Sequence, residues 1–469
     1  MTDEMTGAGE VAPSLSEVAK AVGLRRVRMV SWRDLDDPES GGSELHAHRI
    51  AQLWAAAGLD LTLETSRAAG HPVVRMRDGY GVVRRGGRYT VFPRTAARGL
   101  LRGSQRGEAL VEIWNGMPFF SPLWHRGPRV IFLHHVHAEM WRMVLPGPLA
   151  RFGQSIERTI APPFYRSAKV VTLSESSRSE IVSALGLPAS NVVVVPPGID
   201  PSFSPGGDRS THPLVACVGR LVPVKRHGMV VDALVKLKQR HRGLEAVIAG
   251  EGYMRSEIER VVRAHNAEGW IHLPGRLPDE ELVDLYRRAW LLVSASAREG
   301  WGMTITEAGA CGTPAVATRV VGQVDTVDSG VTGLLAGDEE ELVGALDTIL
   351  SDEGLRLKLS KGALARAESL TWDSTARHTL QVVASEVARS NGIAVDPAIL
   401  RFGNPSKGVA SRQGGVSCDG SGPPVVHAQP LESGNGLATR ETVGTVARDV
   451  DAETGDVLAG LAGGRSEQP

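Results

Sequence analysis

Two carboxylates eight positions apart, Glu299 and Glu307, are the side chains in this chain whose type and spacing most suggest chemistry. Glycines follow Glu299, and the apolar run 290–294 before it predicts a buried parallel strand. The small residues that come next can continue as a helix. An order of strand, glycine loop and helix directs free backbone N–H groups and the positive end of a helix dipole at one point. The segment therefore predicts an anion site, most often for phosphate.

Both carboxylates can accept hydrogen bonds from ligand hydroxyls, Glu299 from the loop and Glu307 from the first turns of the helix. An anion site flanked by two such groups suits a nucleotide sugar. Two glutamates at this spacing more often mark a solvated helix face. Here the intervening residues are glycine and apolar, which favours a buried loop. The preceding strand places that loop at the carboxyl edge of a sheet, where open α/β sheets bind ligands.

The composition is that of an ordinary globular protein, and 469 residues suffice for two or three domains. The formal net charge of −1 does not point to nucleic acid. Cys217, Cys311 and Cys418 show neither a disulfide framework nor zinc spacing, which fits a reducing compartment. The N-terminus has no apolar signal core, and no apolar run approaches the ~20 residues of a membrane span. A cytoplasmic protein is expected.

The first half of the chain alternates apolar strand patterns with helical patterns. Strands are predicted at 27–30, 110–114, 130–133, 169–173 and 192–195. Prolines and glycines from Pro196 to Gly207 then break the alternation, as an interdomain linker would. We place a disordered N-terminus at 1–24 and a first Rossmann-like domain at 25–205.

The second half restarts the same alternation. Strands are predicted at 214–218, 244–248, 271–273, 290–294 and 314–317. Two α/β units of similar size imply two doubly wound, Rossmann-like domains that face each other across a cleft, the second at 206–371. After residue 391 the composition shifts to Gly, Ser, Pro and Gln, which predicts a low-complexity, disordered tail at 391–469.

Two further groups of residues lie where loops follow predicted strands. Arg220 and Lys225 follow the first strand of the second domain and would be a suitable counter-charge for a diphosphate, although such a pair is more often surface solvation. Gly41 and Gly42 follow the first strand of the chain, where an ordinary βα turn explains them about as well as close approach to a ligand.

Three histidines, His134, His135 and His137, follow the strand predicted at 130–133. Their proximity suggests a metal site. A zinc site would need further Cys, His or carboxylate ligands at matching spacing, and the sequence offers none. We therefore expect no metal.

The segment from Glu299 to Ala317 resembles the E-x7-E signature of the retaining glycosyltransferases of family four, which have the GT-B fold. The matching residues are Glu299-Gly300-Trp301-Gly302, Glu307-Ala308 and Ala310-Cys311-Gly312-Thr313-Pro314-Ala315-Val316-Ala317. The resemblance extends from about Val27 to about Ala388. It implies a nucleotide-sugar-binding second domain, an acceptor-side first domain, and a helix at 372–390 that crosses back to the first domain.

The resemblance also implies roles for the loops around the cleft. Arg220 and Lys225 match the cations that bind the donor diphosphate in place of magnesium. Gly41 and Gly42 match the loop that approaches the donor phosphates and sugar. The histidine that touches the transferred sugar matches His134 best, and His135 is the alternative. The full set of expected donor contacts is His134, His135, Gly41, Gly42, Arg220, Lys225, Arg276, Leu277, Glu299, Gly300, Trp301, Gly302, Met303, Thr304 and Glu307.

Within this set the resemblance assigns the hexose to Glu299 and His134, the ribose to Glu307, and the diphosphate to the backbone amides of 302–304 together with the two cations. The nucleotide base would lie against the loop that carries Arg276 and Leu277. These assignments imply a metal-independent, retaining transfer of a hexose from a UDP- or GDP-sugar to a hydroxyl acceptor, which would be a glycan, a glycolipid or a small molecule. No cofactor beyond the donor is implied.

The sequence departs from the family pattern at three places. Pro197 stands where Asn often precedes the linker glycine, Trp301 replaces a usual Phe, and the segment 321–325, Val-Gly-Gln-Val-Asp, replaces a usual Gly-Gly-x-x-Glu. None of these removes a charged donor contact. The identity of the hexose stays open, because the loop around Trp301 faces it in the family.

Two other functions remain open at this point: a GT-B nucleotide-sugar epimerase, and a non-catalytic sugar-nucleotide-binding assembly protein. A separate basic stripe of Arg94, Arg98, Arg102 and Arg106 lies beside two leucines. A solvated helix face is its ordinary explanation. Peripheral contact with anionic lipid on the inner face of a membrane, and with it a lipid-linked or cell-envelope acceptor, is the alternative.

Overall fold

The computed structural model describes residues 12–401, and these fall within one compact unit that contains two parallel sheets. The strands of the first sheet are β1 Arg26–Val30, β2 Asp60–Thr65, β3 Val74–Arg77, β4 Tyr80–Arg84, β5 Glu108–Ile113, β6 Arg129–Phe132, β7 Lys169–Thr172 and β8 Val192–Val194. Their order is β3-β4-β2-β1-β5-β6-β7-β8, and every pair is parallel except β3 with β4. Apart from the exposed edge strand β3, the strands are short and mostly buried on both faces, as parallel strands between helix layers must be.

The helices of this first domain form two layers. They are α1 Leu15–Ala21, α2 Gly42–Ala56, α3 Val91–Arg102, α4 Ser121–Trp124, α5 Met140–Val144, α6 Gly147–Ser155, α7 Pro162–Tyr165 and α8 Glu175–Leu185, with a π-helical turn at Ile156–Ile160. Alternate residues of each strand face alternate layers. Met29, Val111 and Phe132 pack with α1 and α2, whereas Leu110 and Ile131 pack on the opposite face, under α3 and the segment from α4 to α8.

The second domain has a six-stranded parallel sheet in the order β11-β10-β9-β12-β13-β14. Its strands are β9 Leu214–Val218, β10 Glu245–Ala249, β11 Ile271–Gly275, β12 Leu291–Ser294, β13 Ala315–Thr318 and β14 Gly333–Ala336. Its helices are α9 His227–Lys238, α10 Arg255–Ala264, α11 Asp279–Arg288, α12 Met303–Ala310, α13 Gln323–Thr326, α14 Glu339–Ser351 and α15 Glu353–Ala367. This is the strand order of a dinucleotide-binding domain.

Helix α16, Trp372–Asn391, returns from the second domain and packs on α1, α2, β6 and β7 of the first. The indole N–H of Trp54 donates to the carbonyl of Ala376 at 2.9 Å. At the crossing point, the Ile199 amide donates to the Leu370 carbonyl at 3.0 Å. The two domains are therefore tied together behind the cleft by two crossings of the chain.

The expected disorder at 1–24 is wrong for residues 14–24. Helix α1 begins after a capping box in which Ser14 and Glu17 satisfy each other's backbone amides. Val18 and Ala19 are fully buried, next to α16. The short apolar stripe of α1 is stable because α16 covers it, and that partner is more than 350 residues away in the sequence. Residues 1–11 lie outside the described residues.

The expected start of the tail at residue 391 is also too early. Helix α17, Pro397–Leu400, packs on α1 and α16, with Val395 and Ile399 against the first core. Gln381 Nε2 donates to the carbonyl of Ile399 at 2.9 Å. The remainder of the expected tail, 402–469, lies outside the described residues. Strands β2, β3, β4 and β14 were not among those predicted.

Candidate active site

The second sheet has its topological switch point between β9 and β12, whose connections leave in opposite directions. The crevice outside such a point is where doubly wound sheets bind ligands. The loop after β9 carries Arg220 and Lys225, and the loop after β12 carries Glu299. The three charged residues predicted from two separate motifs thus meet at one place.

Lys225 and Glu299 form an ion pair, with Lys225 Nζ donating to Glu299 Oε1. The Ser296 hydroxyl donates to the same oxygen at 2.8 Å. Burial by itself would raise the pKa of Glu299, but the charge and hydrogen bond of Lys225 outweigh it and leave the pKa below its ordinary value. Glu299 is therefore ionised at neutral pH.

Helix α12 begins beside this pair. Its N-cap is Gly302, whose φ of +102° lies in the region that glycine adopts without strain. The first amide with an internal partner is that of Ile305, which donates to the Gly302 carbonyl at 3.0 Å. The amides of Met303 and Thr304 precede it and are the free donors that a helix N-terminus offers to an anion.

Glu307 lies on the next turn of α12 and accepts a hydrogen bond of 3.2 Å from the Tyr286 hydroxyl. Burial raises the pKa of Glu307 to about 7, and the bond from Tyr286 offsets only part of that shift. A buried carboxylate with one neutral partner has capacity for further donors, such as the two hydroxyls of a ribose.

The glycine loop of the first domain reaches across the cleft to these groups. Arg220 Nη1 donates to the Glu39 carbonyl at 2.8 Å. A methyl group on Gly41 would lie 3.2 Å from Arg220 Nε, and one on Gly42 would lie 3.2 Å from Met303 Sδ. The buried Glu44 holds the loop by accepting from the Gly41 amide at 2.8 Å. Both predicted glycines thus lie directly against the predicted anion site.

The histidines occupy different environments from those the sequence suggested. The side chain of His134 is buried, and its Nε2 lies 3.1 Å from Nδ1 of His46 on α2. The side chain of His135 is half-buried and faces the charges of Glu299, Arg298, Lys225 and Arg220. His135, named above as the alternative to His134, is therefore the imidazole that adjoins the charged side of the cleft. His134 contributes its backbone carbonyl, beside Gly300.

All these histidines are neutral at physiological pH. Burial lowers the pKa of His135 to about 4 and that of His46 to about 3, and it lowers the pKa of His134 well below its ordinary value. A neutral imidazole can exchange hydrogen bonds with sugar hydroxyls, but it is not positively charged and cannot serve as a strong acid.

Arg276 and Leu277 follow β11 at the same carboxyl edge of the second sheet. Leu277 packs in the cluster that contains Tyr286 and Ile305, so its backbone lies near α12. The side chain of Arg276 is exposed. The loop therefore lies at the edge of the site, and among residues 12–401 the Arg276 side chain has no hydrogen bond or ion pair that would orient it.

Sequence reasoning missed three residues that the structure places beside the predicted site residues: His46, Arg298 and Tyr286. Tyr286 lies on α11, and nothing in its spacing connects it with Glu307. His46 follows the glycine loop by four positions, one helical turn, which is a local signal that would have placed it near the cleft.

Within residues 12–401 no three His, Cys, Asp or Glu side chains are grouped so that they could hold a metal ion. In the same part of the chain no helix is both long and apolar enough to cross a membrane. A cavity of about 590 Å³ lies where the chain crosses between the domains, lined by Ile199, Phe203, Leu370 and Trp372 among others. It contains none of the predicted site residues, so the open cleft is the candidate site.

Two family models match the chain, one over each domain. Glycosyltransferase Family 4 matches residues 40–203, and Glycosyl transferases group 1 matches residues 200–366. The chain belongs to the family four, group 1 glycosyltransferases. The family predicted from the E-x7-E segment is thereby confirmed.

The curated relatives match only part of this chain. The D-inositol 3-phosphate glycosyltransferase of Acidothermus cellulolyticus is 31% identical over 257 residues, which are 50% of this chain and 57% of that protein. The protein of the same name from Corynebacterium jeikeium is 34% identical over 205 residues, 39% of this chain and 49% of that protein. The chain thus spans about half the length of the curated relatives it matches.

Solved structures extend the likeness to nearly all of the described chain. Sucrose-phosphate synthase from Thermosynechococcus elongatus matches with a TM-score of 0.67 at 19% identity, over 78% of this chain and 100% of that one. Anabaena HepE, solved with UDP and glucose, matches with a TM-score of 0.61 at 17% identity, over 77% and 100%. At these identities the likeness concerns the fold, and the predicted GT-B fold is confirmed.

Proposed function

We propose that this glycosyltransferase moves a hexose from a UDP- or GDP-sugar to a hydroxyl acceptor with retention of configuration and without a metal ion. The observation that supports this proposal is the convergence at the switch point of Arg220, Lys225, Glu299 and the N-terminus of α12, with the Gly41-Gly42 loop opposite them. This set offers cations for a diphosphate and carboxylates for the hydroxyls on either side of it.

In the proposed complex the donor lies along the carboxyl edge of the second sheet. Arg220, Lys225 and the free amides of α12 bind the diphosphate. Glu307 accepts from the ribose hydroxyls, and the loop of Arg276 and Leu277 lies against the base. Glu299, released from Lys225 as the phosphate takes that cation, accepts from a hexose hydroxyl.

The proposed chemistry uses no protein nucleophile. The acceptor oxygen attacks C1 of the hexose from the face that the diphosphate leaves, the bond between C1 and the phosphate oxygen breaks, and the acceptor proton goes to the departing phosphate. Because His135 is neutral, its part is to orient the sugar rather than to transfer a proton. Arg220 and Lys225 stabilise the charge that grows on the leaving phosphate, which is the role of a metal ion in other enzymes.

A donor and acceptor screen tests this proposal. Purified enzyme is incubated with UDP- or GDP-hexoses, each with and without an acceptor, and released UDP or GDP is measured. Acceptor-dependent release with an anomerically retained product supports it. A 2-epimer formed without acceptor would support the epimerase instead, and nucleotide-sugar binding without any turnover would support the non-catalytic alternative. The name of the curated relatives places phosphorylated polyols among the acceptors to be screened first.

We also propose that the protein contacts anionic lipid on the cytoplasmic face of a membrane. The helix layer on one face of the first sheet, residues 91–166, contains ten arginines and four glutamates. Glu108, Glu112 and Glu157 are buried, which leaves Glu139 as the exposed carboxylate of the segment. Eight large apolar side chains are exposed beside the arginines: Leu100, Leu101, Leu123, Met143, Leu149, Phe152, Ile160 and Phe164.

These side chains share one side of the domain, because α3 contacts α4, α4 contacts α7, and all pack on the same sheet face. Apolar residues interleaved with arginines suit a lipid surface better than the regular phosphates of a duplex. Co-sedimentation with phosphatidylglycerol vesicles tests this contact. Binding that is absent with phosphatidylcholine, falls with salt and is weakened in L100S/L101S but not in L357S, an exposed leucine of the second domain, is expected. Equal binding by the two variants would contradict it.

A further inference from the structure

The N-terminus of α8 in the first domain is capped by a carboxylate of the second domain. Asp325 Oδ1 accepts from the amides of Glu175 at 3.1 Å and Ser176 at 3.3 Å, and Asp325 Oδ2 accepts from the Ser176 hydroxyl. The helix's own N-cap, Ser174, accepts from one backbone amide of the described residues, that of Ser177 at 3.2 Å. Two of the free amides of this helix are thus satisfied across the cleft, in the favourable field of the helix dipole.

The segment that carries Asp325 also supports the donor loop. A methyl group on Gly322 would lie 2.7 Å from the Glu299 carbonyl oxygen, so the two backbones are in direct contact. The Gly322 amide donates to the Ser176 hydroxyl at 2.8 Å. The Ser177 hydroxyl in turn lies 3.4 Å from the Gly300 carbonyl. One helix end therefore contacts both Asp325 and the loop that carries Glu299.

Gly300 shows how closely the domains approach at this loop. A methyl group there would lie 2.8 Å from the His134 carbonyl oxygen and 3.4 Å from His135 Nδ1. Arg298 adds a second link, since it pairs with Glu180 of α8 and its Nη1 lies 3.3 Å from the Val136 carbonyl. Contacts on both sides of Gly300 thus fix the position of Glu299 relative to His134 and His135.

We propose that Asp325 is a positioning residue: by capping α8 across the cleft, it fixes the donor loop against His134 and His135. This inference rests on the proposed function, in which the second domain holds the phosphates and the first domain supplies the histidines. Catalysis then needs the two domains in one relative position, because a displacement of about 1 Å at a reacting centre lowers the rate strongly. Asp325 touches neither the proposed donor contacts nor a core, so its effect passes through domain placement.

The first test compares D325A with D328A, the same change three residues along. Among the described residues the Asp328 carboxylate makes no hydrogen bond or ion pair with the first domain. We expect kcat of D325A to fall by about tenfold, the size of one lost hydrogen bond to a charged group. Its affinity for UDP or GDP should stay within about twofold of the wild type, because those contacts lie in the second domain. D328A should resemble the wild type in both.

Two further variants separate positioning from folding. D325E keeps a carboxylate at the place where the family pattern has Glu, and it should restore most of the turnover. D325N keeps the shape but loses the charge, so it should fall between D325A and the wild type. The melting temperature of D325A should fall by no more than a few degrees, the size of one lost helix cap. A larger fall in the melting temperature of D325A, or turnover of D325A equal to that of the wild type, would overturn the positioning role.

Hydrogen exchange gives a readout that does not need turnover. The amides of Glu175 and Ser176 should exchange faster in D325A than in the wild type, whereas the amides of the last turn of α8 should not change. If the wild type releases nucleotide from no donor, the proposed function fails while this measurement still tests the cap. Equal exchange at Glu175 and Ser176 in D325A and D328A would exclude the cap itself.

Discussion

On the second-domain side of the cleft, charged side chains lie against one another and against a helix N-terminus: Lys225 with Glu299, and Glu307 on α12. On the first-domain side, the cleft is bounded by the backbone of the Gly41-Gly42 loop and by the neutral imidazole of His135. The first arrangement binds and stabilises charge. The second contributes shape and hydrogen bonds, so we expect changes on the two sides to alter different quantities.

The largest effect should come from the cations. R220A and K225A should each lower kcat by roughly 100-fold or more and affect donor binding less, because these side chains face charge that grows in the transition state. K236A, on an exposed lysine of α9, is the control. EDTA should leave the wild-type rate unchanged. Loss of activity in EDTA and its recovery with magnesium would contradict the metal-free mechanism.

Removal of the second carboxylate should act on binding. E307A should weaken nucleotide affinity by about 1–3 kcal/mol, roughly 5- to 150-fold, because the ribose hydroxyls lose a buried acceptor. Calorimetry with UDP and GDP measures this directly. Y286F keeps the carboxylate but removes the hydrogen bond that lowers the pKa of Glu307, so it should bind nucleotide nearly as well as the wild type only at a pH well above 7. An unchanged affinity in folded E307A would exclude the ribose role.

Substitution of His135, on the first-domain side of the cleft, should have a smaller effect and should change kcat alone. H135A should lower kcat roughly two- to tenfold, the worth of one neutral hydrogen bond of about 0.5–1.5 kcal/mol. H134A should mainly lower the melting temperature, since it leaves buried His46 without its partner. Kinetics and thermal melts of both variants give the comparison. A larger loss of turnover in H134A than in H135A would restore the original expectation that His134 orients the sugar.

The pH dependence of nucleotide binding distinguishes the two sides further. The pKa of Glu307 is about 7 in the free enzyme, and ribose hydroxyls donate best to the ionised form. Affinity should therefore be constant at higher pH and fall as the pH drops through 7, by no more than about tenfold per pH unit. The histidines titrate at about 4 or below and should add nothing in this range. The same titration of E307Q should lose the fall centred near pH 7, and the weakening that remains at lower pH belongs to the terminal phosphate of the nucleotide.

The smallest effect should come from the end of the chain. A chain that ends at Arg401 should keep the activity and the melting temperature of the full chain, because the composition of 402–469 predicts no core. A chain that ends at Gly392 loses α17 and should melt a few degrees lower, since Ile399 and Leu400 no longer cover the first core. Equal melting temperatures for the two truncations would show that α17 adds no stability.

Much of the charged side was predictable because its residues are local in sequence. Glu299, Gly302 and Glu307 lie within one strand–loop–helix unit, and the spacing alone indicates an anion site at a strand end. Arg220 and Lys225 follow another strand of the same sheet. Since parallel strands end at a common edge, the topology brings the two motifs together without further information.

The arrangement of the neutral side of the cleft could not be predicted, because it depends on packing between distant segments that no local sequence pattern indicates. The side chain of His134 turns to His46, whose ring also packs edge-on against Phe132 of β6, and His135 is left facing the cleft. Helix α1 and helix α17 are ordered because α16 returns to the first sheet and covers their apolar residues. Asp325 caps α8 only when the two domains meet.

The sequence by itself determined the family, the two Rossmann-like domains and the charged residues that meet at the switch point, because each rests on residues close together in the chain or on a strand end. The tertiary structure alone decided which histidine faces the cleft, that Glu299 is held ionised by Lys225, and which carboxylate joins the domains. Those properties arise from burial and from contacts between segments more than 70 residues apart, as between Lys225 and Glu299 at a separation of 74. Only the folded chain fixes such distances.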